Sequence, residues 1–319
     1  MRRAAGERPS PEAPRARPGA ARAAAGPTGP PGPPGARWRR HRGFVAGLAL
    51  VALFVLASAL APVLAPADPL RVPPSAEAAT LLPPGPRHAL GTDVLGRDVL
   101  SRVLYAGRVS LAVGLGVELF AATLGCLVGL LAGYYGGWLD AVLMRATDVV
   151  MAFPSLVLAI GLIAVFEEPG LDKVFLVLGA LGWTTIARVI RGEVLTLRGQ
   201  EYVEAARAVG VPDPAILVRH VLPNCLGPLL VAATIGVGGN MVAEAGLSFL
   251  GLGAQPPTIS WGAMLAEGQT FLTAAPWVAV FPGGALLLAV LVFAGVYVVG
   301  NLLVDLAYLV IDPRTRAAD

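Results

Sequence analysis

Four charged side chains stand inside apolar runs of this sequence: Glu118, Arg145, Asp148 and Glu244. A charge in hydrocarbon is costly, so each is a functional candidate until a structural partner accounts for it. Arg145 and Asp148 are three residues apart and can neutralise each other on one helix face. Glu118 and Glu244 can either line a pathway or hydrogen-bond between helices. Pro154, in the run MAFPS, removes a backbone hydrogen bond and kinks its helix, which suits a gate or a packing bend. Glu118, Asp148, Pro154 and Glu244 are therefore the candidates for a translocation pathway.

Other chemistries find no support. His88, Asp93 and Asp98 are one histidine with scattered carboxylates, too sparse for a metal site. Cys126 and Cys225 match no metal or redox spacing. Gly-x-Ser-x-Gly and His-Glu-x-x-His are missing, and Ser155, Ser248 and His220 form no recognisable set. The single lysine, Lys173 in GLDKVF, cannot complete a phosphate-cradling P-loop, so this chain is no P-loop ATPase by itself. Neither an enzyme nor a cofactor is expected.

A second constellation lies at 201–224, EYVEAARAVGVPDPAILVRHVLPN, a polar stretch between apolar runs. Tyr202–Val209 has good helix formers, and Gly210 is a natural helix terminator. Pro212 blocks continuation. Asp213 can cap a second helix with Pro214 at its first position, and Pro223 ends it near the membrane surface. The expectation is a helix–turn–helix knob.

The elements around these residues follow from composition. Of 319 residues, 55% are hydrophobic and 14% charged, with mean hydropathy +0.70. A soluble chain carries about 25% charged residues, which places this one in the membrane class. The net charge of +3 does not suggest nucleic acid. Six apolar segments, 44–66, 109–132, 141–166, 174–191, 226–249 and 278–303, approach the ~20 residues a span requires. All must be helical, because a backbone in lipid has no water to pair with. The fold class is all-α, a polytopic membrane protein of six spans. Residues 1–36 hold nine prolines and no apolar run, and are expected to be a disordered tail.

Arginine bias sets orientation. Arg37, Arg39, Arg40 and Arg42 precede the first span, so the N-terminus and, after six spans, the C-terminus (306–319) face the cytoplasm. The 192–225 loop then lies on the same side. The outer loop 250–277 holds no Lys or Arg, whereas 67–108 holds five arginines and dissents. Arg102 and Arg108 are read there as an interfacial helix whose arginines snorkel to head groups. Gly125, Gly129 and Gly133 have small-xxx-small spacing and suit either packing within the chain or a subunit interface. No internal repeat supports an ion-coupled secondary transporter.

Glu204-Ala205-Ala206, then Gly210, then His220-Val221-Leu222-Pro223 resemble the EAA loop of binding-protein-dependent ABC importer permeases. A histidine at 220 is similar to the peptide-importer branch. GTDVLGRDVLSRVLYAGRVSL (91–111), GGWLDAVLMRATDVVMAFPSLVLAI (136–160), AEAGLSFLGLG (243–253) and IDPRTR (311–316) resemble the dipeptide/oligopeptide/nickel type, second permease subunit. The likeness covers about 40–316. It implies a type I importer fold, with 37–108 as first span plus outer loop and 109–305 as a five-helix core. It also implies a bacterial inner membrane and four kinds of partner: membrane lipid, a second permease subunit, two cytoplasmic ATP-binding subunits and an external substrate-binding protein. Glu204, Ala205, Ala206, Gly210, Asp213, His220, Leu222 and Pro223 would couple to the ATPase. Substrates would be di- or oligopeptides, with nickel chelates or sugars as the alternatives. For Glu118 and Glu244, contact with a peptide's amino terminus stands beside hydrogen bonding between helices, and the resemblance assigns Glu118 no role.

Overall fold

Helix α3 begins where Asp98 caps it. The Asp98 carboxylate accepts from the Ser101 N–H and the Ser101 hydroxyl, each at 2.8 Å, so an orphan donor of the first turn is satisfied. In the computed structural model, which describes residues 49, 51–73 and 80–311, α3 runs Val99–Tyr135. It therefore starts ten residues before the expected span, because two of the arginines that suggested an aqueous loop, Arg97 and Arg102, are neutralised by Asp93 and Glu267. The interfacial helix expected at Arg102 and Arg108 is the first turns of this span. Arg102 does not snorkel: it is 2% exposed and donates to Asp93 at 2.5 Å and to Glu267 at 2.7 and 3.1 Å. Arg108 is exposed, over the Tyr105 ring at 5.9 Å.

The chain before α3 is helical over 51–59 (α1) and Ala61–Leu64 (α2). The tail 1–36, the arginines before the first span and the residues after Ile311 lie outside the described residues. After α3 come α4 (Gly137–Met151), α5 (Ser155–Ile163), α6 (Leu171–Leu197), α7 (Glu201–Ala208), α8 (Asp213–Ile216), α9 (Leu222–Phe249), α10 (Trp261–Gly268) and α11 (Trp277–Ile311). Four of these runs are long and apolar enough to cross a membrane: α3, α6, Asp213–Phe249 and α11. The expected third span divides at Pro154 into α4 and α5, bent by 84°, and counts as a fifth if the bent pair is one span. Pro154 has no N–H for the helix ladder and its ring displaces the preceding turn.

Helices α3 and α6 run parallel in close contact. A Cβ at Gly125 would meet the Trp183 carbonyl and Ile186, at Gly129 the Ala187 carbonyl and Ile190, at Gly133 Val194. The glycine stripe is thus packed within the chain, and absent side chains let the two backbones approach. Antiparallel to α6, α4 is clamped by two ion pairs: Arg191 to Asp140 at 2.5 and 2.6 Å, and Arg188 to Asp148 at 2.6 Å. The expected Arg145–Asp148 pairing is only a 3.9 Å contact, because Arg188 across the groove reaches the same carboxylate more directly.

The 250–277 loop contains a helix that periodicity could not reveal in eight residues, α10. Ser260 caps it by accepting from Ala263 N–H at 3.3 Å, and the buried Trp261 donates its ring N–H to the Val103 carbonyl at 3.0 Å. Glu267 on α10 binds Arg97 and Arg102, which both also hold Asp93, and Trp277 donates to the Thr92 carbonyl at 3.1 Å. The 91–98 loop is thereby tied to α10 and α11.

Replacing Gly129 by Val should force α3 from α6 and cost about 1–3 kcal/mol or more, as overpacking does. Gly227→Ala, where a Cβ meets nothing within 4 Å, should leave stability nearly unchanged. Thermal unfolding of the detergent-solubilised protein compares the two.

Candidate functional site

Helix α7 lies across the ends of α3 and α6. Its fixed side is apolar: Val203 is fully buried in one cluster with Ile216, Val221 and Cys225 of the following elements and Cys126, Leu130, Ile190 and Val194 of α3 and α6. Burying a valine-sized side chain is worth ~1.5–3 kcal/mol, enough to hold a two-turn helix that could not persist alone. The opposite side is open. Glu204, Ala205, Arg207, Ala208, Val209 and Gly210 are exposed, whereas Ala206 is half-buried and packs on the core.

The turn after α7 is set by its last residues. Gly210 has φ +84°, its N–H bonds the Arg207 carbonyl at 3.0 Å, and the Val211 N–H bonds the Ala206 carbonyl at 3.1 Å. This paired closure requires a left-handed residue at 210, which glycine adopts without a Cβ clash. Val211 and Ala206 both pack on the core and seal the turn.

Asp213 does not cap α8. Pro212 occupies that position, Asp213 and Pro214 are the first helical residues, and the Asp213 carboxylate accepts from the Tyr134 hydroxyl at 2.6 Å. Arg207 stacks over the same ring at 5.4 Å, and the proximity of Tyr134 raises its pKa. Tyr134 thus ties both ends of the 207–213 turn to α3. Nor does α8 end before the membrane. It passes through a π turn, Leu217–Val221, straight into α9. Pro223 cannot donate to the Arg219 carbonyl, and the widened turn relieves the clash its ring would cause. His220 and Leu222 are half-buried on this turn and Pro223 is exposed beside them, so these three belong to the root of α9, apart from the open face of α7. Asn224 stabilises the root by donating to the His220 carbonyl at 2.6 Å.

Sequence reasoning missed Val203, Val209 and Tyr134. Val203 was legible as the apolar residue of α7's inner face. Val209, 79% exposed at the tip, had the signal of an apolar residue before the terminating glycine. Tyr134 lies 79 residues from Asp213, a separation no local pattern reveals.

The pathway candidates separate. A cavity of about 980 Å³ lies between the α4–α5 bend, α6, α9 and Glu118. Glu118 lines it and accepts from Asn240 at 2.8 Å. Pro154 is flanked by two lining residues, Phe153 and Ser155. Asp148 is engaged with Arg188 outside the lining. Glu244 is fully buried among hydroxyls, accepting from Ser110 at 3.1 Å and Ser248 at 2.7 Å, with Ser260 also bonded to it. That carboxylate joins α3, α9 and the start of α10. His88, Asp93 and Asp98 do not converge on a metal: His88 pairs with Asp98 at 3.0 Å, Asp93 with the arginines, and no metal-binding cluster occurs among the described residues.

The family described as binding-protein-dependent transport system inner membrane component matches residues 125–317. This chain belongs to that family. Residues 36–84 also match the N-terminal transmembrane domain of oligopeptide transport permease C. A dipeptide transport system permease protein of Alkalihalophilus pseudofirmus is 36% identical over 279 residues, covering 88% of each chain. A glutathione transport system permease protein of Pectobacterium atrosepticum is 42% identical over 234 residues, 73% of this chain and 75% of that one. A Brucella abortus protein provisionally named a peptide transport system permease is 41% identical over 280 residues, 88% and 90%. A structure of the MetNI methionine ABC transporter, inward facing, superposes with TM-score 0.51 at 21% identity, over 62% of this chain and 94% of that one, and shares its fold. The binding-protein-dependent permease is a multi-pass transport subunit; ATP hydrolysis is carried by separate subunits.

Tyr134→Phe keeps the ring under Arg207 but deletes the bond to Asp213. Amide hydrogen exchange across 201–213 should accelerate roughly tenfold, the effect of losing one bond to a charged acceptor. Unchanged exchange would mean that apolar packing alone holds the turn.

Proposed function

We propose that this permease forms half of the membrane pathway of an ATP-driven peptide importer, with α7 as the element that the ATP-binding subunit grips. The carrying observation is the two-sided character of α7: anchored by Val203, Tyr134 and the Gly210 closure, and open at Glu204, Ala205 and Val209. A partner surface can approach small residues closely, and a helix seated on the ends of α3 and α6 transmits movement to both. Nothing in α7 performs chemistry, which agrees with a lever driven from outside the chain.

The peptide class is supported by relatives named for peptide, dipeptide and glutathione transport, all amide-linked amino acids. The arginine bias supports a cytoplasmic 192–225 loop. The assembly comprises a second permease subunit, most simply a different chain of the same family, two ATP-binding subunits and an external binding protein. Nucleotide and loaded binding protein would each bind one of the inward- and outward-facing states more tightly and so shift the population between them.

In proteoliposomes holding the whole transporter, Gly210→Pro and Glu204→Arg should leave assembly and basal ATP hydrolysis intact and cut peptide uptake about tenfold or more. Proline cannot adopt φ +84°, and arginine reverses the exposed charge. Uptake equal to wild type in both variants would refute the lever. Ala205→Cys should react with an impermeant maleimide only after the cells are opened, since both native cysteines are buried. Labelling of intact cells would overturn the orientation.

A further inference from the structure

Glu118 differs from Asp140, Asp148 and Glu244 of the spanning helices. Asp140 and Asp148 have arginine partners, and Glu244 is enclosed by serines. None of the ion pairs among the described residues includes Glu118. It sits near the middle of the 37-residue α3, about 28 Å of helix rise from Val99. Its carboxylate lines the cavity, where the other titratable side chain is also acidic, Glu193, and no Lys, Arg or His contributes to the wall. The remainder of the wall is mostly aliphatic, with hydroxyls at Ser155, Thr184 and Thr185.

The site is built to hold that carboxylate in place. Gly236 and Asn240 are one turn apart on α9 and share a face. Asn240 donates to Glu118 Oε2 at 2.8 Å. A Cβ on Gly236 would collide with the Glu118 carboxyl group, so the glycine leaves the space that the carboxyl occupies. A buried carboxylate with one amide donor and no cation is costly unless it takes up a proton or a cation arrives. A cavity of about 980 Å³ has room for a short peptide, whose single obligatory cation is its terminal ammonium.

We propose that Glu118, held by Asn240 in the space left by Gly236, is the subsite that receives the α-ammonium group of a peptide in transit, an inference that rests on the peptide reading above. The ammonium donates to the carboxylate in a charge-assisted pair, the aliphatic wall accepts varied side chains, and Thr184, Thr185 and Ser155 offer partners to amide groups. Recognition at one end with a permissive remainder suits a carrier whose selection is shared with an external protein.

The test uses the detergent-solubilised complex of both permeases and both ATP-binding subunits, without binding protein, in equilibrium dialysis against labelled trialanine and N-acetyl-trialanine. Wild type should bind trialanine at least about tenfold more tightly, the worth of one charge-assisted pair. Glu118→Gln keeps volume and the Asn240 bond but loses the charge, and should bind both peptides equally. Gly236→Ala, which displaces the carboxylate without removing it, should erode the same preference and serves if the Gln variant fails to assemble. A wild-type complex that binds the two peptides alike, or binds neither, overturns the subsite, as does a preference that survives both substitutions. Trialanine uptake by the complete wild-type system reports separately: no peptide uptake sinks the peptide reading, whereas uptake without a Glu118-dependent preference sinks only this inference.

Discussion

The close parallel seam between α3 and α6 is the contact on which the rest depends. Three glycines remove the side chains that would hold the backbones apart, and α6 supplies Ile186, Ile190 and Val194 to fill the seam. Association of helices in lipid gains little from hydrophobicity, because the surrounding tails are equally apolar. Close packing must supply the difference. At one end the seam presents Leu130, Tyr134 and Val194 as the seat of α7. Further along α3, at its middle, Glu118 faces the cavity.

Charge is distributed by the same logic. Three acidic groups within the spans are matched to donors: Asp140 and Asp148 to arginines of α6, Glu244 to Ser110 of α3 and Ser248 of its own helix. Arg102 is matched by Asp93 and Glu267. These arrangements join helices and leave their charges satisfied. Glu118 has a single amide where Asp140 and Asp148 have opposite charges and Glu244 has hydroxyls.

Interrupted helices provide the second theme. Pro154 divides one span into α4 and α5, and Pro223 forces the π turn that joins α8 to α9. The first break shapes the cavity wall. The second keeps α8 continuous with a spanning helix, with no loop between them. Two prolines with the same chemistry therefore have opposite results, because one ring meets a solvated or cavity-facing turn and the other a turn braced by buried Leu217 and Val221.

Sequence alone determined the membrane class, the helical fold, the Pro154 break and the hairpin at 201–224. All are local consequences of apolar run length, backbone satisfaction, and proline and glycine geometry. It also marked Glu118 and Glu244 as unusual, since the cost of a buried charge is readable from its apolar neighbours. Partnership was not readable. Arg188 is 40 residues from Asp148, Tyr134 is 79 from Asp213, and Asn240 is 122 from Glu118. Only the packing of α3, α6 and α9 decided which carboxylate was satisfied, which face of α7 remained open, and where α3 began. Pair energies depend on distances of a few ångströms, and those are set by tertiary contact, whereas periodicity along the chain reports only each segment's own preference.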